Sequence, residues 1–158
     1  MQKLSIRKIV SGGQTGADRA ALDFALENEF EIGGFVPKGR LAEDGKIPAK
    51  YINLSETEAT VYAVRTELNV ENSDATMIFS QGNLEGGSLL TRKLAEKYDK
   101  PFLHINFRKE NFKQAVIKAR KFLLSGNFQT LNVAGPRASE DAQIYQKTKK
   151  ILSEIFSA

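Results

Sequence analysis

The sequence predicts an α/β fold with a mainly parallel sheet and helices on its faces. Short apolar runs of strand length alternate with stretches of helical period along the whole chain. Three of these runs end in glycine-bearing turns, at residues 10–16, 80–88 and 134–137. Turns that follow parallel strands meet at the carboxyl edge of the sheet. We therefore expect the three turns to lie together over one crevice.

The first third of the chain predicts two strands and a helix. Apolar residues in 6–11 indicate a strand, and the alanine-rich face of 17–28 indicates the helix after it. A second strand is expected over 32–36, although two glycines weaken its pattern. Residues 37–55 show no clear period and are predicted as a long irregular segment, a length typical of functional lids or of disordered stretches.

The middle of the chain continues the alternation. Residues 58–70 and 88–98 have apolar side chains at helical spacing, and the apolar stretch 74–79 between them predicts a buried strand. Pro101 marks the end of the second helix, because proline cannot continue a helix. A strand is predicted directly after it, over 102–105.

The last third predicts a strand between two helices. The apolar stripe of 110–124 is the clearest in the chain, and 130–134 is expected to be the last strand. Ser139 is predicted to cap the final helix, because Glu140 and Asp141 would then lie in its first turn and stabilise its positive dipole end.

The composition is that of an ordinary globular protein and predicts a single domain over residues 1–158. Hydrophobic residues make up 41% of the chain and charged residues 27%. No apolar run reaches the roughly 18 residues of a membrane span, and no signal peptide is evident, so we expect a cytoplasmic location and no membrane partner. The lack of cysteine excludes disulfides, thiolate catalysis and cysteine-based zinc sites.

The net charge of +4 suits an anionic ligand. The basic clusters at 108–121 and 147–150 contain one aromatic residue, Phe112, which belongs to the apolar stripe, so no nucleic-acid partner is expected. The chain has a single histidine, His104, and this count excludes a histidine-rich metal site. His104 lies within a predicted strand.

The glycine turns are the candidate binding site. Glycine permits positive φ and close approach of the backbone to a ligand, and the helix that follows offers free amides to an anion. Neither a P-loop nor the dinucleotide motif G-x-G-x-x-G is present, so neither a nucleoside triphosphate nor NAD is specified. The candidate residues in the turns are Gly12, Gly13, Gln14, Thr15, Gly16, Gly82, Gly86, Gly87, Ser88, Thr91, Gly135, Pro136 and Arg137. Together they predict a small anionic, phosphorylated ligand.

Four charged residues extend this candidate site. Asp18 has two interpretations: it stabilises the dipole end of the first helix, or it accepts hydrogen bonds from a base, sugar or pterin edge or orders Arg19. Lys38 and Arg40 lie on the long irregular segment, from which they could close over an anion.

The same segments resemble a known family. Residues 11–23, which begin Ser-Gly-Gly-Gln-Thr-Gly-Ala-Asp-Arg, are similar to the opening motif of the molybdenum-cofactor carrier proteins. The likeness continues through five further segments, at 37–48, 65–70, 73–79, 86–91 and 131–137. It therefore spans nearly the whole chain.

This resemblance implies a Rossmann-like three-layer sandwich in the superfamily of the lysine-decarboxylase-like phosphoribohydrolases, assembled as a dimer or tetramer. It also implies that the ligand is the molybdenum cofactor (molybdopterin), or a related phosphorylated pterin or nucleotide, bound without being transformed. The hydrolases carry a catalytic acid after a Gly-Gly turn, and this chain, aligned on Gly86 and Gly87, has Lys93 there. Two alternatives stay open, namely a nucleotide-processing hydrolase with Asp18 or Glu85 as its acid–base group and a nucleotide-signal sensor.

Overall fold

The computed structural model describes residues 2–157, in which a six-stranded parallel sheet has helices on both faces. The strands are β1 (Lys8–Val10), β2 (Glu31–Val36), β3 (Leu41–Ala42), β4 (Gly45–Lys46), β5 (Leu54–Glu56), β6 (Ala75–Ser80), β7 (Phe102–Asn106) and β8 (Thr130–Ala134). The helices are α1 (Ala17–Glu27), α2 (Tyr62–Glu71), α3 (Gly86–Lys97), α4 (Phe112–Leu124) and α5 (Ile144–Phe156). The predicted α/β class and its Rossmann-like three-layer arrangement are confirmed.

The strand order places the three glycine turns side by side. The large sheet runs β5-β2-β1-β8-β6-β7, with every pair parallel, while β3 and β4 form a separate antiparallel hairpin. β8 lies between β1 and β6, so the chain leaves all three of these strands at the same edge. The topology therefore brings the segments after Val10, Ser80 and Ala134 to one place.

The two faces of the sheet differ in polarity. Helices α1, α4 and α5 cover a large apolar core that includes Ile9, Met77 and Phe79 of the sheet. Helices α2 and α3 pack on each other around a small cluster centred on Val70 and Leu94. Buried polar side chains of α2, α3, β6 and β8 include Thr66, Asn69, Thr76, Ser88, Thr91 and Asn132. The face of the sheet beneath α2 and α3 is thus the more polar of the two.

The predicted irregular segment 37–55 contains regular structure, and this prediction was wrong. Its centre is the β3–β4 hairpin, and its end forms β5, which pairs with β2 at the edge of the large sheet. Arg40 organises the segment because its guanidinium donates to the carbonyl oxygens of Pro48 at 2.8 Å and Tyr51 at 3.1 Å. Strands of two or three residues and single hydrogen bonds of this kind leave no periodic pattern in the sequence, which is why the strands were not predicted.

The start of the last helix also differs from the prediction. Ser139 does not cap α5; its hydroxyl donates to Glu43 Oε2 at 2.6 Å. The amides of Glu140 and Asp141 bond to the carbonyl of Arg137 in a turn, and the helix begins at Ile144. The predicted helix at 58 begins instead at Tyr62.

The other predicted elements agree with the structure to within two residues at each end. Within residues 2–157, no helix is long and apolar enough to cross a membrane.

Candidate functional site

A cavity of about 290 Å³ lies at the carboxyl edge of the sheet, where the three turns meet. The predicted site residues that line it are Gln14, Asp18, Gly86, Gly87, Ser88, Thr91, Gly135 and Arg137. Residues that the sequence did not single out also line it, and these are Tyr62, Ala63, Arg65, Thr66, Leu90, Ala134 and Glu140. Each of the three turns contributes to one cavity.

The glycines of the first turn face protein atoms. A Cβ on Gly12 would overlap the guanidinium of Arg65, and one on Gly13 would stand 2.8 Å from Ile47 Cδ1. Gly16 has a φ of 82° and a Cβ there would overlap the carbonyl oxygen of Pro136. These glycines therefore allow the turn to pack against its neighbours.

Thr15 is also engaged within the protein. Its hydroxyl donates to Glu43 Oε1 at 2.7 Å and accepts from the amide of Ala138 at 3.0 Å. The amide of Glu43 in turn donates to Gln14 Oε1 at 2.9 Å. The tip of the β3–β4 hairpin thus ties the first turn to the third, and of residues 12–16 Gln14 is the one that lines the cavity.

The second turn is open where the first is packed. Gly86 has a φ of 50°, and the nearest atom to its Cβ position is Glu140 Oε2 at 3.9 Å. At Gly87 no heavy atom of the described residues lies within 4 Å of that position, apart from the chain neighbours and the nearby backbone of α3 itself. Helix α3 begins at Gly86 without a side-chain hydrogen bond from its N-cap residue, Glu85. The positive end of this helix therefore faces the cavity with room for a ligand.

Asp18 and Arg65 form a buried ion pair in the wall of the cavity. Asp18 Oδ2 lies 3.5 Å from Arg65 Nη1 and accepts from the amide of Gln14 at 3.2 Å. Burial raises the pKa of Asp18 to about 6, against the opposing effects of the Arg65 charge and the Gln14 amide. Gly12 is part of the same arrangement because its missing side chain leaves the space that the guanidinium fills. Asp18 is therefore paired with Arg65, while Arg19 is paired with Asp44.

The guanidinium of Arg65 retains hydrogen-bonding capacity. Its side chain is 13% exposed, and its buried Nε has no hydrogen-bond partner among the described residues. Buried donors in proteins are normally satisfied by protein, water or a ligand. Arg65 is therefore a candidate donor to a polar ligand in the cavity.

The third turn supplies a second arginine. Gly135 is packed, since a Cβ there would stand 2.5 Å from the carbonyl oxygen of Phe79. Arg137 lines the cavity, with its Nε 3.5 Å from Glu43 Oε2 and 3.3 Å from Glu140 Oε1. Two arginines from different elements thus flank the open helix end.

Several predicted site residues lie away from this cavity. Arg19 makes a two-bond ion pair with Asp44, at 2.8 and 2.9 Å, and its Nε donates to the carbonyl of Gly13. Arg40 binds carbonyl groups of its own segment, and Lys38 is exposed outside the cavity. Gly82 lies beside the guanidinium of Arg108. Pro136 lines a neighbouring cavity of about 420 Å³, which meets the first at Ser88 and Glu140.

His104 lies outside the cavity and is hydrogen-bonded within the protein. Its Nε2 lies 2.6 Å from the hydroxyl of Ser80, which donates to the carbonyl of Gly82 at 2.7 Å. Burial lowers the pKa of His104. No group of three or more potential metal-binding side chains occurs in the described part of the chain.

The sequence missed Tyr62, Arg65 and Glu140 for a common reason. Tyr62 and Arg65 lie within the predicted helix 58–70 and Glu140 within the predicted start of the last helix, so none of them belongs to a glycine turn. Only the packing of α2 and of the third turn against the sheet edge brings them into the cavity. Arg65 did lie within a segment of family likeness, which was the available signal.

Comparisons with known proteins find a matching family and a closely similar solved structure. The model of the circularly permutated YpsA SLOG family matches residues 9–156. A solved structure described as a putative molybdenum carrier protein from Syntrophus aciditrophicus SB is 50% identical, with a TM-score of 0.95 over 99% of this chain and 98% of that one. A search of curated proteins finds no match. The resemblance drawn from the sequence is confirmed, and the chain belongs to the circularly permutated YpsA SLOG family.

Proposed function

We propose that this protein binds and carries a small phosphorylated ligand of the molybdenum-cofactor class. The phosphate would lie against the amides of Gly86 and Gly87 that open α3, between Arg65 and Arg137. The pterin body would fill the rest of the cavity, against Tyr62 and Leu90.

The space at Gly87 is the observation that carries this proposal. A helix N-terminus with no side-chain cap attracts anions, and two arginines line the same cavity. At Gly87 a ligand can approach the backbone because no protein atom stands where a side chain would begin. Of the two phosphate positions that the glycine turns allowed, 12–16 and 86–88, the second is supported by this open space.

The volume and the lining residues of the cavity support a compact ligand. Its volume of about 290 Å³ lies at the small end of ligand pockets in proteins. Tyr62 and Leu90 give it apolar surface, while Thr66 and Thr91 supply hydroxyl groups. A relative described as a putative molybdenum carrier protein shares half of its residues with this chain. Since the chain lacks cysteine, thiolate ligands of a carried molybdenum would come from the pterin.

Analysis of a co-purified ligand tests this proposal. The protein is expressed in one host that synthesises the cofactor and in a matched host in which that synthesis is blocked. Mass spectrometry of the released small molecules should find a phosphorylated pterin from the first host and none from the second. A nucleotide from both hosts would reject the pterin and retain the anion site, and no anionic ligand from either would reject the carrier function.

One observation favours the hydrolase alternative. A carboxyl group with a pKa of about 6 in a cavity is suited to proton transfer, and Asp18 has this property. Against it, the Asp18 carboxylate is already engaged by Arg65 and by the backbone of the first turn. Incubation with nucleoside monophosphates separates the two functions. Release of free base that disappears in Asp18→Asn would establish the hydrolase.

A further inference from the structure

We propose that Glu140 competes with the ligand for Arg137. In the free protein the carboxylate of Glu140 pairs with Arg137 beside the open end of α3, and a bound phosphate takes this arginine over. The inference rests on the anion site proposed above and adds to it a residue that sets how much negative charge the ligand must have.

Arg137 lies between two carboxylates that differ in how firmly they are held. Glu43 is 20% exposed and accepts hydrogen bonds from the Thr15 hydroxyl at 2.7 Å and from the Ser139 amide and hydroxyl at 3.0 and 2.6 Å. These contacts also lower the pKa of Glu43, with the Ser139 hydroxyl as the main cause. Glu43 is therefore a fixed part of the strap between the first and third turns.

Glu140 is held far less firmly. Its side chain is 42% exposed, and its contacts in the described residues are with Arg137, at 3.3 Å to Nε and 3.5 Å to the backbone amide. An exposed ion pair of this kind contributes little stability. The carboxylate of Glu140 can therefore move away while Glu43 stays in place.

The position of Glu140 is where a ligand anion would arrive. Its Oε2 lies 3.9 Å from the Cβ position of Gly86, and the residue lines both cavities where they meet. At this position the positive end of α3 stabilises the negative charge of the carboxylate, as it would stabilise that of a bound anion. A neutral ligand gains nothing from displacing it, whereas a phosphate replaces its interactions with both Arg137 and the helix end. Glu140 thus selects for ligands that carry a strong negative charge.

The test uses inorganic phosphate as the probe and NMR of backbone amides as the readout. Phosphate is titrated into wild type, Glu140→Gln and Glu85→Gln at physiological ionic strength, and the shifts of the Gly86 and Gly87 amides are followed. Glu85→Gln removes the same charge one residue from Gly86 but does not touch Arg137. We expect Glu140→Gln to bind phosphate roughly fivefold more tightly than wild type, and Glu85→Gln to change affinity by less than about twofold.

Each result bears on one of the two proposals. Equal affinity in wild type and Glu140→Gln, with the amides of α3 shifting in both, would overturn the role of Glu140 and leave the anion site in place. Equal tightening in Glu85→Gln would also overturn it, because the effect would then be one of net charge. If phosphate shifts neither amide in any of the three proteins, the anion site is wrong and the role of Glu140 falls with it.

Discussion

The first and second glycine turns look alike in the sequence and do different work in the structure. In the first, Gly12, Gly13 and Gly16 are surrounded by protein atoms, and a side chain at any of them would overlap a neighbour. In the second, Gly86 and Gly87 face free space at the start of α3. One set of glycines serves packing, and the other leaves room for something outside the chain.

This contrast changes which residues of the turns are expected to contact a ligand. The first turn reaches the cavity chiefly by holding Asp18, which in turn orients Arg65. The second presents its backbone directly. Glycine content alone therefore does not distinguish a packed turn from one with room for a ligand, whereas the space beside each glycine does.

The largest effect is expected from a side chain in the first turn. Gly16→Ala combines a positive φ of 82° with an overlap on the carbonyl oxygen of Pro136, and should lower the free energy of unfolding by about 3 kcal/mol or more. Gly45→Ala is the matched control, because Gly45 has a φ of 109° and nothing within 4 Å of its Cβ position. Urea unfolding of the two variants separates the costs of conformation and overlap. Similar losses in both would show that the first turn is not packed as described.

Loss of Arg65 should produce an effect of similar size. Arg65→Ala leaves Asp18 buried without its charge partner, which typically lowers the free energy of unfolding by about 3–5 kcal/mol. A second substitution that removes the Asp18 charge should restore part of this loss. In Arg65→Ala with Asp18→Asn, much of that stability should return. A double-mutant cycle from chemical unfolding measures the coupling. Additive losses would mean that the pair does not hold the first turn.

The pH dependence of Asp18 gives a smaller effect with a definite sign. Because its pKa is raised from 3.8 to about 6, the folded protein binds this proton more tightly than the unfolded chain. Ionisation of Asp18 therefore lowers the free energy of unfolding as the pH rises from about 4 to about 6, by up to about 3 kcal/mol. Glu43 and Asp44, whose pKa values are lowered by the hydroxyl of Ser139 and by Arg19, respectively, act in the opposite direction.

The variant Asp18→Asn isolates this contribution from that of the other carboxylates. Its stability relative to wild type should be higher at pH 7 than at pH 4, since the substitution removes the group that titrates. Chemical unfolding at the two values provides the comparison. Parallel stability curves for the two proteins would contradict the raised pKa.

The sequence predicted the sheet and the meeting of the turns because both follow from local patterns. Alternating strand and helix periods require parallel strands, and glycines after those strands mark one edge. It did not predict the β3–β4 hairpin, since each of its strands has only two residues, or β5, since this short strand depends on pairing with the distant β2. The positions of Arg65 and Glu140 in the cavity were not predicted because they result from packing between elements.

The central claim is that the ligand lies against the open helix end at Gly87. The most direct measurement is the amount of phosphorylated pterin per protein chain that co-purifies with wild type, Gly87→Val and Ala142→Val from a cofactor-producing host. Ala142→Val adds similar bulk to the neighbouring cavity and serves as the control. We expect Gly87→Val to fold and to lose the ligand, because its side chain projects into the space that the ligand needs, while Ala142→Val keeps it. Full ligand content in a folded Gly87→Val would contradict this assignment.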